Sequence, residues 1–393
     1  MFKKKLPEDV VVDILSRLPA NSLVRFKSVH KSWYALIESP HFVTMQLRNN
    51  NSIHFLVGNR VLIDTDDSDT IRILWSLLTF DDKMWATSNG EDVSFSMKSL
   101  DLPFSCPYNG WSDFSNICDG IICFYDYQDR DGIMIMANPG IGEFRFLPVS
   151  CFPLPNSDEY DHYLCPRKTH VVGLGFDCRT NDCKVIRILE MESPYLSPGE
   201  VQAEVYSSST NIWREIEYTD YYMIPEENRS MSTYWNGAYY WPATKRQGGS
   251  RGILSFDFSD EVFEFRTIPE HLPWFYDLIE FNETLAFISY PHPEQEMEKR
   301  FDIWVMGEYG ANEVWTKLFS TKPVLEVDRA LGFGMSTELF VLLSSGLIAS
   351  YNIVTNQMKT LLPIDGEGFV NNHSIVLYKG SLVSINREIF HGR

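Results

Sequence analysis

Two cysteine pairs, Cys118/Cys123 and Cys178/Cys183, share a C-x4-C spacing, and His170 lies between them. Thiolates and imidazole at compact spacing are zinc ligands, and a closed zinc site needs four. Both pairs sit in strand-like runs or turns, where a thiol serves as a small core residue, so no metal is expected. His162, His170 and His292 have no Ser or Cys nucleophile in a recognisable setting. HExxH, the Walker loop and GxGxxG are all absent from the sequence. No catalytic residue and no cofactor is expected. The seven cysteines are an odd number, and the opening MFKKKLPED is charged, without the apolar core of a secretory leader. The expectation is a reducing compartment, cytoplasmic or also nuclear, with free thiols.

Binding is then the remaining chemistry, and charge divides it in two. The 393-residue chain has a net charge of −19. Residues 1–48 hold eight Lys/Arg and four Asp/Glu, a balance of +4, which leaves −23 on the rest. An acidic body repels phosphates, so nucleic acid is not an expected partner. It favours a basic protein, which it could also steer in from solution. No apolar run approaches a membrane span, so no membrane partner is expected.

The elements that would carry this binding fall into a small and a large domain, 1–48 and 49–393. Residues 6–48 predict helices. Pro7 suits a first turn, Glu8 and Asp9 favour the positive helix end, and Val11, Ile14, Leu15 and Leu18 keep helical spacing. Pro19 stops that run, and Asn21 or Ser22 can cap a second helix with Leu23, Phe26 and Val29. Trp33, Leu36 and Ile37 belong to a third, and Ser39-Pro40 caps a fourth. Val10, Val11 and Val12 are contiguous and cannot all face one core. About 40 residues rarely fold alone. The unit is either a lid on the large domain or a docking module with a spare apolar face.

Beyond residue 50 short alternating strands take over, and two phrases recur. A polar turn followed by an apolar strand appears in CDGIICFYD, YWNGAYYWPA, FNETLAFISY, STELFVLLSS and YKGSLVSI. A strand, turn and strand with a large apolar residue appears around Phe144, Trp213, Phe263, Trp315 and Met358, at intervals of 69, 50, 52 and 43 residues. A degenerate repeat near 45 residues indicates a β-propeller of four-stranded blades. The last turn-strand phrase lacks its second half, which strands near Ile53–Leu56 and Ile71–Leu78 could supply to close the ring. Six blades are expected, with seven as the alternative count and a large β-sandwich as the alternative fold. Cys151–Arg167 and Met191–Gly199 are expected to be loops on one rim.

The stretch LPEDVVVDILSRLPANSLVRFKSVHKSWYALIESPHF, Leu6 to Phe42, resembles a plant F-box at nearly every signature position. His30 departs, standing where plant members commonly have Cys or Ser. CDGIICF, Asn138-Pro139, FRFLP, GLGFD, DCKVIRI, AEVYSSSTNIWREI, LSFDF and IWVMGEYG resemble the F-box-associated domain, in family order. The fold class implied is α+β with two domains, a small all-α F-box followed by an all-β propeller-like domain. The layout and the IWVMGEYG stretch are most similar to the S-locus F-box group. Members of that group act in pollen and recognise pistil ribonucleases in self-incompatibility.

The resemblance implies a non-catalytic subunit of a ubiquitin ligase, which binds a Skp-type adaptor and through it a cullin and a RING protein. Its contribution would be the proximity of a substrate lysine to a ubiquitin thioester. Adaptor contacts are carried over to Leu6, Pro7, Ile14, Leu15, Leu18, Pro19, Leu23, Val24, Phe26 and Val29, some of which must be internal core. Substrate contacts are expected in acidic-aromatic insertions: Tyr160, Asp161 and Tyr163; Tyr221, Tyr222 and Glu226; Glu294 and Glu296. Tyrosines anchor interfaces and carboxylates complement a basic partner. Two other classes remain open. One is a scaffold that binds without causing degradation. The other is a propeller enzyme or sugar-binding module, which would need acids or histidines converging on a channel expected to be mainly apolar.

Overall fold

Pro7 is extended at the entrance to the first helix, and Glu8 and Asp9 fill the first turn of α1, Glu8–Ser16, where unpaired backbone N–H groups favour negative charge. The computed structural model describes residues 6–49, 53–65, 68–80, 95–100, 112–115, 117–126, 133–152, 167–193, 196–218, 222–223, 232–245, 249–268, 275–290, 298–309, 312–322, 324–335, 337–362 and 375–386. Helix α2, Ala20–Phe26, starts directly after the extended Pro19 and has no side-chain cap. The cap expected from Asn21 or Ser22 is therefore corrected: proline fixes the entry and both residues lie inside the helix. His30 caps α3, Lys31–Ile37, its ring accepting the Ser32 N–H at 3.1 Å. The departure from the motif thus keeps a capping acceptor. Ser39 does the same for α4, Pro40–Asn49, accepting the Phe42 N–H at 3.3 Å.

Six antiparallel four-stranded blades follow, with one extra short strand in the third. Listed from the innermost strand outwards, blade one is Ser112–Phe114, Ile122–Asp126, Met134–Asn138 and Glu143–Phe146. Blade two runs Arg167–Asp177, Asp182–Ser193, Leu196–Ser207 and Ile212–Ile216. Blade three is Thr233–Trp235, Ala238–Lys245, Arg251–Asp257 and Val262–Thr267, with Tyr222–Met223 also paired to Ala238–Lys245. Blade four is Phe275–Phe281, Thr284–Tyr290, Asp302–Tyr309 and Asn312–Ser320. Blade five is Val327–Met335, Glu338–Leu343, Ile348–Asn352 and Gln357–Leu362. Blade six joins both ends of the chain: Ile375–Tyr378 lies innermost, against His54–Thr65, then Ser68–Phe80 and Phe95–Leu100.

The second recurring phrase is the outer hairpin of a blade. Its turn starts with a residue whose side-chain oxygen accepts backbone N–H groups two or three positions on. Asn138 does so with Gly140, Asp257 with Ser259 and Asp260, and Asn352 with Val354 and Thr355. This is the reason Asn and Asp punctuate the repeat. Phe144, Trp213, Phe263, Trp315 and Met358 all fall in outermost strands. Blades pack by interdigitation, as Ile186 and Val205 do with Tyr239 and Trp241. Gly173 and Gly175 give these rings room: a Cβ at Gly173 would lie 2.7 Å from Trp241, and one at Gly175 would lie 2.1 Å from Phe258. Outermost strands alternate exposed apolar and charged residues, as in Glu143-Phe144-Arg145-Phe146.

Two expectations are corrected. Met191–Gly199 is mostly strand, because Asp182–Ser193 and Leu196–Ser207 prolong one hairpin. The two N-terminal strands complete the last blade as expected, but the strand expected after the turn in YKGSLVSI does not form. His54–Val57 already occupies the position beside Ile375–Tyr378, so Ser381–Ile385 leaves the sheet.

Candidate functional site

The helical unit divides the ten adaptor candidates by packing. Leu15 (3% exposed) and Leu23 form its core with Ala20, Ile37, Phe42 and Val43. Leu15 and Leu23 are thus among the positions expected to be internal core, their side chains already enclosed. Leu18, Val24 and Phe26 are half-buried against the same cluster, with Phe26 5.6 Å from the ring of Trp33, and Pro19 is half-buried too. Leu6, Pro7, Ile14 and Val29 face solvent, with Leu6 60% and Ile14 50% exposed. Val10, also exposed, lies one turn before Ile14 on α1, and the exposed Leu6 precedes the helix. Val10 and Tyr34 are exposed apolar residues that the motif did not single out. The period of α1 could have marked Val10; nothing local marks Tyr34.

The unit sits on one face of the propeller. Ile141, in the outer turn of blade one, and Leu382 and Val383, beyond the last strand, pack against the helical core. Leu47 and Arg48 at the end of α4 border a cavity of about 1020 Å3, lined by residues of the innermost strands and the turns beside them. Apolar residues make up most of the lining, and the charged Asp119, Glu280, Glu283 and Lys379 join them. Asp119, Glu280 and Lys379 all keep solvent contact, and partial desolvation by the cavity walls pushes the Asp119 and Glu280 carboxyls up, neighbouring carboxylates adding to this and Lys379 partly offsetting it. The same desolvation pushes the Lys379 ammonium down against the pull of Glu280 and Asp119. No group of three His, Cys, Asp or Glu among the described residues is placed to hold a metal ion.

Cys118, Cys123 and Cys183 share one apolar cluster. Burial raises all three thiols, Cys123 to about 12, so none is a ready thiolate. Cys178 is exposed. His162 and His292 lie outside the described residues, and so does the side chain of His170.

Of the substrate candidates, Tyr160, Asp161, Tyr163, Tyr221, Glu226, Glu294 and Glu296 lie outside the described residues. Tyr222 is in a short strand paired with Lys245, and its side chain is not described. Strand direction nevertheless locates the ends that bound these segments. Innermost strands run toward the helical unit, since their ends at Phe281 and Tyr378 border the same cavity as Arg48. In an antiparallel blade the outermost strand therefore ends, and the second strand ends, on the far face. Phe146, Ile216 and Tyr290, which precede the three segments, are such ends.

A buried ion pair stiffens blade two. Arg187 Nε donates to Glu204 Oε1 at 2.8 Å, and both side chains are enclosed. Ser150 and the Cys151 backbone N–H satisfy the other oxygen, and Trp213 lies 5.1 Å from the guanidinium carbon.

Comparison with known proteins agrees with this layout. Residues 4–44 match the F-box domain, and residues 32–385 match the F-box associated beta propeller domain. The F-box protein CPR1 of Arabidopsis thaliana is 24% identical over 338 residues, 81% of this chain and 73% of that protein. The F-box/kelch-repeat protein At3g23880 of the same plant is 25% identical over 363 residues, 88% of this chain and 87% of that protein. The match to a further relative from that plant covers 65% of its length. An oligogalacturonate lyase from Vibrio parahaemolyticus aligns with a TM-score of 0.39 and 7% identity, covering 79% of this chain and 86% of that one, a likeness that carries no functional argument. The chain belongs to the plant F-box proteins in which the F-box is followed by an F-box associated β-propeller domain.

Proposed function

We propose that this chain is a substrate-recognition subunit of a Skp–cullin–F-box ubiquitin ligase, with adaptor and substrate on opposite faces. The supporting observation is the exposed pair Val10 and Ile14 on a helix whose other side already completes a core, with the exposed Leu6 just before it. Such a surface costs solubility unless a partner covers it. The adaptor contacts are then Leu6, Pro7, Val10, Ile14 and Val29, with the half-buried Leu18, Pro19, Val24 and Phe26 at their margin. Cullin and RING protein join through the adaptor. The propeller contributes binding, not bond chemistry: it holds a protein close to the ubiquitin thioester.

The finer reading is a basic substrate met by the segments around Tyr160–Tyr163, Tyr221–Glu226 and Glu294–Glu296. It is supported by the −23 balance of residues 49–393. A pistil ribonuclease in self-incompatibility is the substrate that the resemblance to the S-locus group implies, and the cytoplasm, with the nucleus, is the place of action.

Co-purification with a plant Skp-type adaptor tests the docking surface. The parent chain is expected to bind, and Val10→Asp with Ile14→Asp to lose binding with an unchanged melting temperature, because both side chains are exposed. Leu23→Ala serves as the core control and should lower stability by about 2–5 kcal/mol. A folded parent that does not bind the adaptor would sink the ligase reading.

A further inference from the structure

The chain after the last strand is stitched to both domains. The one hydroxyl proton of Tyr378 is shared between Asn138 Oδ1 at 3.0 Å and the Gly120 carbonyl at 3.2 Å. Asn138 Nδ2 in turn donates to the Ser381 carbonyl at 3.2 Å and the Val383 carbonyl at 2.8 Å. Ser381 Oγ donates to the Asp119 carbonyl. Glu143 Oε2 accepts Ser384 Oγ at 2.8 Å and the Ile385 N–H at 3.0 Å. Gly120, at φ +76°, leaves the space for this passage: a Cβ there would lie 2.6 Å from Ser381 Oγ and 2.9 Å from its backbone nitrogen.

Two side chains of this segment point into different bodies. Leu382 (3% exposed) belongs to the buried cluster of the F-box helices, with Leu15, Leu23 and Phe42. Ile385 (2% exposed) belongs to the cluster between blades one and two, with Cys118 and Trp213. The helical unit is too small to bury a sufficient core alone. One of its core residues therefore comes from the far end of the chain. That residue follows closely on the strand Ile375–Tyr378, whose pairing with His54–Val57 closes the ring.

We propose that the segment Ser381–Ile385 is a strap that completes the F-box core, so that the docking surface is stable only on a closed propeller. An incomplete or opened receptor would then not hold the adaptor, and would not compete with intact receptors for it. The adaptor half of this statement rests on the ligase reading; the folding half does not.

The test is hydrogen exchange on the full chain, its Leu382→Ala variant and a chain ending at Gly380, each paired with adaptor co-purification. Amides of α1–α4 are expected to lose roughly tenfold or more of their protection in both variants, while strands of blades three to five keep theirs. Adaptor binding should fall in step. Unchanged helix protection in both variants would overturn the strap, and so would an equal loss of protection in blades three to five with Leu382→Ala. If the parent chain fails to bind the adaptor, the ligase reading falls, and helix protection still decides the strap.

Discussion

Ile14 and Leu15 are one residue and about 100° apart around α1, and that rotation decides which of them a partner can touch. Leu15 closes the core from within, and Ile14 stays in solvent beside Val10. The same distinction separates a stabilising charge pair from a fragile one. Arg17–Asp13 is exposed and contributes little, whereas Arg187–Glu204 is enclosed in blade two. Arg187→Met should lower stability by about 3–5 kcal/mol, because Glu204 then remains buried with its charge uncompensated. Adding Glu204→Leu should restore much of the loss, and thermal melts of the single and double variants check it. Among the ten adaptor positions read from the motif, helical period located the apolar faces. It did not tell core from surface, because α1 is apolar on both sides and the residue that settles its inner side, Leu382, is over 360 positions away.

Blades were legible because each is local: strand, Asx-type turn and strand recur within one stretch of sequence, and the five anchors from Phe144 to Met358 all proved to be in outermost strands. The sixth blade was legible only as a missing half, and its true neighbours, His54–Val57 and Ile375–Tyr378, are set by ring closure rather than by local pattern. Channel polarity escaped because the innermost strands are mostly apolar and their charged residues lie at strand ends and turns: Asp119, Glu280, Glu283 and Lys379. That polarity has a pH signature. The Asp119 and Glu280 carboxyls are raised, and solvent in the cavity screens both exposed groups, so their small contribution to stability is complete below the usual carboxylate range and is lost as pH rises through their elevated values. Glu280→Gln should therefore raise the melting temperature at pH 7, and the gain should vanish toward pH 4. A gain of equal size at both pH values, or none at pH 7, would refute this account of the channel.

Over the whole molecule, the F-box and the ends bounding the acidic insertions lie on opposite faces, so the two proposed partners would not compete for surface. Hydrogen exchange on the adaptor complex should show new protection over Leu6–Ile14 and none at Phe146, Ile216 or Tyr290. Protection at those far-face strand ends would mean that the two surfaces overlap. The charge split at residue 48 led to the expectation of two partners, and the relative placement of the two proposed surfaces follows from strand direction, which no composition encodes. The outermost strands carry a further consequence. Among the described residues, the outermost strand of each blade has no strand partner on its outer edge, and apolar side chains such as Phe144, Phe146, Ile212, Val262 and Leu318 are exposed along these strands. Six such edges are six templates on which a second chain could add a strand and begin a fibre. The charges set between the apolar residues, Arg145, Arg214, Glu264 and Lys317 among them, act as gatekeepers against that addition. Neutralising substitutions there would leave the blade fold intact and shorten the life of the protein in concentrated solution.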